Sequence, residues 1–131
     1  MKKGILLNGE LSSVIAQMGH TDTLTIGDCG LPIRGGVRRV DLALVKGIPS
    51  FLETLEAVLT ELCVERVILA EEIKTASPEM HQRILDRFPG IPVDYVPHEA
   101  FKQQTEHSRA VVRTGECTSY ANIILVSGVT F

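Results

Sequence analysis

Residues 67–70 read Val-Ile-Leu-Ala, a continuous apolar run of the kind found in a strand that is covered on both faces. A helical pattern precedes this run at residues 51–62, with apolar side chains every three or four positions and Pro49 at its expected first position. A second helical pattern follows the run and begins at Ser77-Pro78, which fit an N-cap and a first-turn proline. Helix, strand and helix in this order are typical of an α/β fold.

The same alternation extends outward in both directions along the chain. We expect an amphipathic helix between Asn8 as its N-cap and Gly19 just beyond its end. The other expected elements are strands at 23–28, 37–44, 91–95, 110–112 and 123–126 and a short helix at 98–107. The sequence therefore predicts a single domain, residues 1–131, with a layered α/β/α fold and a largely parallel or mixed central sheet.

The composition argues against several broad classes of protein. The 131 residues are 44% hydrophobic, which is typical of a globular chain and not of a disordered one. A net charge of −3 provides no general attraction to nucleic acids or anionic membranes, so neither is an expected partner. The apolar run before Asn8 is too short for the core of a signal peptide. Cys29, Cys63 and Cys117 lack metal-binding spacing, and we expect reduced thiols in a cytoplasmic protein.

Polar side chains follow several of the expected strands at the point where each strand ends. They are Asp28, Glu71, Glu72, His98, Arg113 and Glu116. In α/β folds ligands bind beyond the carboxyl ends of the strands, so this edge of the sheet is the expected site. His20 lies at the junction between the first helix and the strand at 23–28.

The familiar catalytic motifs are missing from the sequence. It has no P-loop, no dinucleotide-binding glycine pattern, no HExxH and no GxSxG. What remains is general acid/base chemistry on a small polar molecule, for which His20 is the first candidate because histidine titrates near neutral pH. Each candidate also has a structural alternative: His20 could favour a helix C-terminus, Asp28 could stabilise a turn, and His98 could begin a helix. A metal site built from His20, Asp28 and His98 is a further alternative.

Several blocks of sequence carry a resemblance to a known family. They are Met1-Lys2-Lys3-Gly4, Met18-Gly19-His20-Thr21-Asp22, Gly27-Asp28-Cys29-Gly30-Leu31-Pro32, Val40-Asp41-Leu42-Ala43-Leu44, Gly47-Ile48-Pro49-Ser50-Phe51, Ala70-Glu71-Glu72-Ile73-Lys74, His98-Glu99, Arg113-Thr114-Gly115-Glu116, Tyr120-Ala121-Asn122 and Gly128-Val129-Thr130-Phe131. With these blocks the chain resembles, almost end to end, the D-ribose pyranases. These are small cytoplasmic sugar mutarotases in a wider group that includes L-fucose mutarotase.

The resemblance implies an isomerase that interconverts the β-pyranose and β-furanose forms of D-ribose and supplies the furanose to ribokinase. It implies that His20 is the proton donor and that Asp28, His98, Tyr120, Ala121 and Asn122 bind the sugar. It also implies a homo-oligomer, commonly a decamer of two stacked pentameric rings, with sites formed between neighbouring subunits. No cofactor and no metal are expected, because hemiacetal opening needs only proton transfer.

Two positions depart from the family pattern, and two other functions stay open. Cys29 stands where the family usually has Ala, and Ser119 stands where Pro commonly precedes the tyrosine.

The chain could instead be a mutarotase for another sugar such as L-fucose. It could also be a non-catalytic ribose-binding or transport-coupled subunit, which would bind sugar without accelerating ring exchange.

Overall fold

The computed structural model describes residues 1–131. In chain order the elements are α1 (Gly9–Ala16), β1 (Thr23–Gly27), β2 (Arg39–Asp41), α2 (Phe51–Leu59), β3 (Val64–Ala70), α3 (Ile73–Ala76), α4 (Pro78–Leu85), β4 (Val93–Val96), α5 (His98–Thr105), β5 (Ala110–Arg113) and β6 (Ile123–Ser127). None of these helices combines the length and the apolar character needed to cross a membrane.

The six strands form one mixed sheet in the order β2-β5-β1-β6-β3-β4. The neighbouring pairs β2/β5, β1/β5 and β3/β4 are parallel. The last strand, β6, lies between β1 and β3 and runs antiparallel to both. The prediction of a single α/β domain with a largely parallel or mixed sheet is therefore confirmed.

Helices cover both faces of the sheet, as the apolar runs in its central strands predict. On one face, Leu24, Leu69 and Leu125 pack in a core with buried residues of α1, α2 and α4. On the other face, Phe101 of α5 packs with Ile124 in a smaller cluster. Successive side chains of a strand point to opposite faces, so Ile124 and Leu125 lie in different cores.

Two helix ends differ from the expected positions. Asn8 caps α1 as expected, since its Oδ1 accepts a hydrogen bond from the Leu11 N–H at 2.8 Å, but the helix ends at Ala16 and well before Gly19. In α2 the cap is Ser50, which forms a reciprocal capping box with Glu53. Pro49 therefore lies before the helix and not at its first position, because the Ser50 hydroxyl supplies the acceptor that fixes where the helix begins.

Strand β2 is much shorter than the expected strand at 37–44. It covers Arg39–Asp41 at the edge of the sheet. Beyond it the chain turns back on itself through a bridge between Val45 and Ile48, and these two apolar side chains are exposed. The strand expected at 37–44 is thus cut short because the chain leaves the sheet after Asp41, and Leu44 is exposed. The short helix α3 was not expected from the sequence.

Candidate functional site

The polar side chains that follow the strands meet at one edge of the sheet. This edge holds the carboxyl ends of the parallel strands, and β6 contributes the segment that precedes it because it runs antiparallel. An open cavity of about 390 Å³ lies there. It is lined by Asp28, Cys29, Gly30, His98, Glu116, Cys117, Thr118, Ser119 and Tyr120. The expected location of the site at the strand ends therefore agrees with the position of this cavity.

Asp28 is held in place by a reciprocal pair of hydrogen bonds with Asn122. The Asp28 backbone N–H donates to Asn122 Oδ1 at 2.8 Å, and Asn122 Nδ2 donates to Asp28 Oδ2 at 2.9 Å. The Gly30 N–H donates to the other carboxylate oxygen at 2.8 Å. Asn122 is only 1% exposed and supports Asp28 from behind. Asp28 thus presents a fixed carboxylate, a strong acceptor, at the cavity wall.

The turn that carries Asp28 depends on the small size of Gly27. A Cβ atom at Gly27 would lie 2.5 Å from Leu31 Cδ2 and 3.0 Å from Asn122 Oδ1. Any larger residue would therefore push against the side chain that orients Asp28. The close approach of these groups explains why glycine ends β1.

His98 stands at the first position of α5 and forms the opposite part of the wall. Its backbone N–H is shared between the two oxygens of Glu72, at 3.1 and 3.0 Å. Its ring stacks on Phe101 and meets the Tyr120 ring edge-on, with 5.0 Å between ring centroids. The Nδ1 atom of His98 is buried and has no hydrogen-bond partner. The ring is thus fixed in place by its two aromatic neighbours.

A charged run such as Glu71, Glu72 and Lys74 is expected to form a solvated rim, and Glu72 departs from this expectation. Glu71 fits that expectation, since it forms an ion pair with Lys74 at 2.9 Å. Glu72 instead caps α5 through the His98 N–H. Sequence reasoning missed this role because the two residues are separated by strand β4, and no local pattern joins them.

Tyr120 adopts a backbone conformation that is uncommon for a residue with a side chain, at φ 60°. Its carbonyl accepts a hydrogen bond from the Asn122 N–H at 2.8 Å, and the preceding carbonyl of Ser119 accepts one from the Ser77 hydroxyl at 2.8 Å. Non-glycine residues with positive φ are concentrated at ligand sites, where surrounding contacts hold the strain. Ala121, by contrast, is fully buried in the core, so its side chain does not line the cavity.

Glu116 contributes a second carboxylate to the cavity. Burial raises the pKa of Glu116, but hydrogen bonds from the Phe51 N–H at 3.0 Å and the Thr118 hydroxyl at 2.7 Å outweigh it, and the net pKa is lowered. Glu116 therefore stays charged and ties the cavity loop to the start of α2. The sequence marked Glu116 as a strand-end residue, whereas no pattern singled out Thr118.

His20 lies at the opposite edge of the sheet from this cavity. The neighbouring Thr21 N–H donates to the carbonyl of Ser127, at the end of β6. The His20 side chain is 52% exposed, and its Nε2 lies 2.9 Å from Glu65 Oε2. Strand β1 separates His20 from Asp28, and its five residues span about 13 Å at ~3.3 Å per residue. The structure thus brings together Asp28, His98, Tyr120 and Asn122 but not His20.

This separation has two consequences within a single chain. Asp28 does not contact His20, because its side-chain partners are Asn122 and Gly30. The alternative metal site of His20, Asp28 and His98 does not form either, and no three His, Cys, Asp or Glu side chains converge in a way that could hold a metal ion.

Comparisons with known proteins agree with the resemblance found in the sequence. Residues 1–130 match the model of the RbsD / FucU transport protein family. The D-ribose pyranase of Geobacillus thermodenitrificans is 55% identical over 131 residues, which cover 100% of this chain and 99% of that protein. The D-ribose pyranase of Actinobacillus pleuropneumoniae serotype 7 is 57% identical over 139 residues, with 100% of both chains covered.

Solved structures match over the same length. Bacillus subtilis RbsD complexed with D-ribose has a TM-score of 0.97 and 44% identity, with 100% of both chains covered. The fucose mutarotase of Streptococcus pneumoniae in complex with L-fucose has a TM-score of 0.77 and 23% identity, with 95% of this chain and 94% of that chain covered. At this low identity, the match supports the shared fold and nothing more. The family match and the full-length relatives confirm the resemblance to the D-ribose pyranases, and the chain belongs to the RbsD / FucU family.

Proposed function

We propose that this protein is a D-ribose pyranase, an isomerase that interconverts the β-pyranose and β-furanose forms of D-ribose. The observation that carries the proposal is the fixed Asp28–Asn122 pair facing His98 and Tyr120 across one cavity. Full-length relatives named D-ribose pyranase support ribose as the substrate. The likeness to a fucose mutarotase is much more distant in sequence, so ribose is favoured over L-fucose.

The cavity suits a neutral sugar with several hydroxyl groups. The Asp28 carboxylate accepts hydrogen bonds from sugar hydroxyls, and its own contacts with Asn122 and Gly30 keep it from rotating. His98 and Tyr120 add polar atoms beside flat ring surfaces. A carboxylate bound to hydroxyls forms charge-assisted hydrogen bonds, which are stronger than neutral ones and select for hydroxyl position.

The reaction breaks one carbon–oxygen bond and forms another, with two proton transfers in each of these two steps. The anomeric hydroxyl loses a proton as the C1 carbonyl forms, the bond from C1 to the ring oxygen breaks, and that oxygen receives a proton. After rotation, a different hydroxyl attacks C1 and loses its proton, while the carbonyl oxygen regains one. Nothing is oxidised or reduced, so a positioned acid/base group is sufficient, and such a group contributes about 10²–10⁴-fold.

The proposal includes His20 as the proton donor, supplied by a neighbouring copy of the chain. His20 is exposed and lies outside its own cavity, so it reaches a sugar only in the cavity of another copy. Exposed apolar side chains occur near both locations: Leu44 and Val45 beside Cys29, and Val129 beside Cys63. Such side chains fit surfaces that are covered on assembly. When Nε2 donates to Glu65, Nδ1 is left free to exchange protons with the sugar.

We propose further that the assembly is a decamer of two stacked pentameric rings and that the protein works in the cytoplasm. Head-to-tail contacts between different surfaces close into rings, and this is the contact that His20 would make with a neighbouring cavity. A cytoplasmic location follows from the role of the furanose product, which ribokinase phosphorylates.

The function is tested by separating sugar binding from ring exchange in the variant His20→Ala. We expect D-ribose binding to be largely kept while exchange falls by about 10²–10⁴-fold, the range for loss of one acid/base group. The matched control is His107→Ala, an exposed histidine in the turn that follows α5.

An unchanged exchange rate in His20→Ala would remove His20 from the mechanism. Ribose binding without exchange in the unmodified protein would favour the non-catalytic subunit, and exchange of L-fucose alone would favour the other mutarotase.

A further inference from the structure

Two of the three cysteines meet at the wall of the sugar cavity. The Sγ atoms of Cys29 and Cys117 lie 3.6 Å apart, and all three cysteines are free thiols. Both residues line the cavity together with Asp28 and Glu116. Cys63 lies at the other edge of the sheet, where its thiol donates to the Val129 carbonyl at 3.2 Å. The chain thus contains one close thiol pair and one separate thiol.

The backbone already holds the two cysteine-bearing loops together. The Cys29 N–H donates to the Glu116 carbonyl at 2.8 Å, and the Cys29 carbonyl accepts from Arg113 Nε at 3.2 Å. A disulfide has its sulfur atoms about 2.0 Å apart, so the thiols need to approach by about 1.6 Å. An adjustment of this size is within reach of side-chain rotation and a small loop shift.

We propose that Cys29 and Cys117 are an oxidation site that hydrogen peroxide converts into an intramolecular disulfide. The Cys117 thiolate attacks one peroxide oxygen and the O–O bond breaks, which gives a sulfenic acid and, after protonation of the leaving oxygen, one water. Cys29 then attacks the sulfenic sulfur, the S–O bond breaks, and a second water leaves with the Cys29 proton. The two thiols lose two electrons and two protons, and the peroxide takes up both.

The order of these steps follows from the surroundings of the two thiols. Cys117 is the exposed member of the pair, and Cys29 is half-buried. The hydrogen bond with Cys117 raises the pKa of the Cys29 thiol, and burial raises it further. Cys117 is therefore the thiol that meets the oxidant, while Cys29 is positioned to resolve the sulfenic acid.

The disulfide would act on the sugar because Asp28 precedes Cys29. Drawing Cys29 toward Cys117 shifts Asp28 relative to Asn122, which otherwise holds it through two hydrogen bonds. We expect oxidation to weaken D-ribose binding by about tenfold, which corresponds to the loss of roughly one such hydrogen bond. This effect on the sugar rests on the proposed function, whereas formation of the disulfide does not.

The site is tested by treating the full-length protein with hydrogen peroxide, alkylating the remaining thiols and mapping the peptides by mass spectrometry. We expect a Cys29–Cys117 cross-linked peptide that dithiothreitol removes, with Cys63 still alkylated. Cys29→Ala and Cys117→Ser should form no cross-link, and Cys63→Ser should form it as the unmodified protein does. Recovery of Cys29 and Cys117 as separately alkylated or over-oxidised residues would overturn the proposal.

A second arm measures D-ribose affinity by calorimetry before and after oxidation. Affinity should fall in the unmodified protein and in Cys63→Ser, return with dithiothreitol, and stay constant in Cys29→Ala. A mapped disulfide with unchanged affinity would contradict the effect on the sugar pocket. If the reduced protein binds no ribose, the proposed function fails, while the peptide map still decides whether the disulfide forms.

Discussion

At the scale of single residues, the site depends on side chains that hold other side chains. Asn122 is buried behind Asp28, where its Nδ2 donates to the Asp28 carboxylate and its Oδ1 accepts from the Asp28 backbone N–H. Glu72 fixes His98 through the backbone and not through the ring. Neither residue lines the cavity, yet the shape of the cavity depends on both.

Replacing Asn122 should therefore weaken sugar binding without any loss of a cavity-lining group. In Asn122→Ala the Asp28 carboxylate loses a donor and its N–H loses an acceptor. We expect D-ribose affinity to fall roughly 10–100-fold, because a hydrogen bond to a charged group contributes about 1.5–3 kcal/mol. Calorimetric titration measures the change, with Gln103→Ala on the exposed side of α5 as control. An unchanged affinity would show that Asp28 does not need Asn122.

Glu72 should act as a positioning residue for His98. Glu72→Ala removes the cap of α5, and we expect the free energy of unfolding to fall by about 1 kcal/mol and D-ribose affinity to fall with it. Glu72→Gln keeps one acceptor oxygen, so it should retain most of the stability and most of the D-ribose affinity. Glu71→Ala is the matched control, since Glu71 pairs only with Lys74 at the surface. Loss of stability without loss of affinity would limit Glu72 to a structural role.

Sequence reasoning found Asp28 and His98 because each follows a strand that the local pattern reveals. It did not reveal that Glu72 caps α5 or that His20 lies far from the cavity. Those features depend on which strands become neighbours, and hydrophobic periodicity within a segment carries no such information.

At the scale of elements, Glu116 joins the cavity loop to α2. Its carboxylate accepts from the Phe51 N–H at the start of the helix and from the Thr118 hydroxyl. These bonds favour the charged form, and they outweigh burial to lower the pKa of Glu116 in the folded state below its ordinary value of 4.5. The Glu116 carboxylate therefore binds a proton more readily in the unfolded chain than in the folded one. Its contribution to the free energy of unfolding is fully present above pH 4.5 and is lost as pH falls through the lowered pKa.

Glu116→Gln should consequently be less stable than the unmodified protein at pH 7. The difference should shrink as pH falls below 4.5, where the carboxyl of the unmodified protein also becomes protonated. Urea unfolding at a series of pH values measures this difference. Glu79→Gln, on the exposed N-terminal turn of α4, is the control for the effect of the substitution itself. If Glu116→Gln lowered the free energy of unfolding by the same amount at every pH, the negative charge of Glu116 would not be the source of the stabilisation.

The helices and the central strands could be predicted where local rules decide the outcome. The apolar run at 67–70 lies in β3, and the cap at Asn8 forms as expected. The local rules failed at Pro49, because Ser50 caps the helix instead, and at Leu44, whose apolar side chain is exposed. Exposed apolar residues break the link between periodicity and burial, so the segment beyond β2 looked like a strand.

At the scale of the whole molecule, the antiparallel β6 explains both what one chain contains and what it lacks. The strand brings Tyr120 and Asn122 to the cavity edge and ends at Ser127, next to the turn of His20. In one chain, His20 and the sugar cavity therefore lie at opposite ends of β1, although the proposed mechanism needs both. Head-to-tail contact between copies would bring them together.

Mixing two impaired variants at a low ribose concentration tests this arrangement. His20→Ala keeps an intact cavity, and Asn122→Ala keeps an intact His20. After co-expression in equal amounts, about one quarter of the sites in a head-to-tail ring would combine an intact cavity with an intact His20. Exchange activity should rise well above that of either variant alone. Co-assembled variants that stay as impaired as the separate ones would contradict a site shared between copies.

The central claim is that this chain accelerates ring exchange in D-ribose, and proton NMR saturation transfer tests it most directly. The anomeric signal of the β-pyranose is irradiated in an equilibrated ribose solution, and the β-furanose signal is observed with and without the protein. We expect the β-furanose signal to weaken only when the protein is present. An undiminished furanose signal in a sample where the protein binds ribose would contradict it.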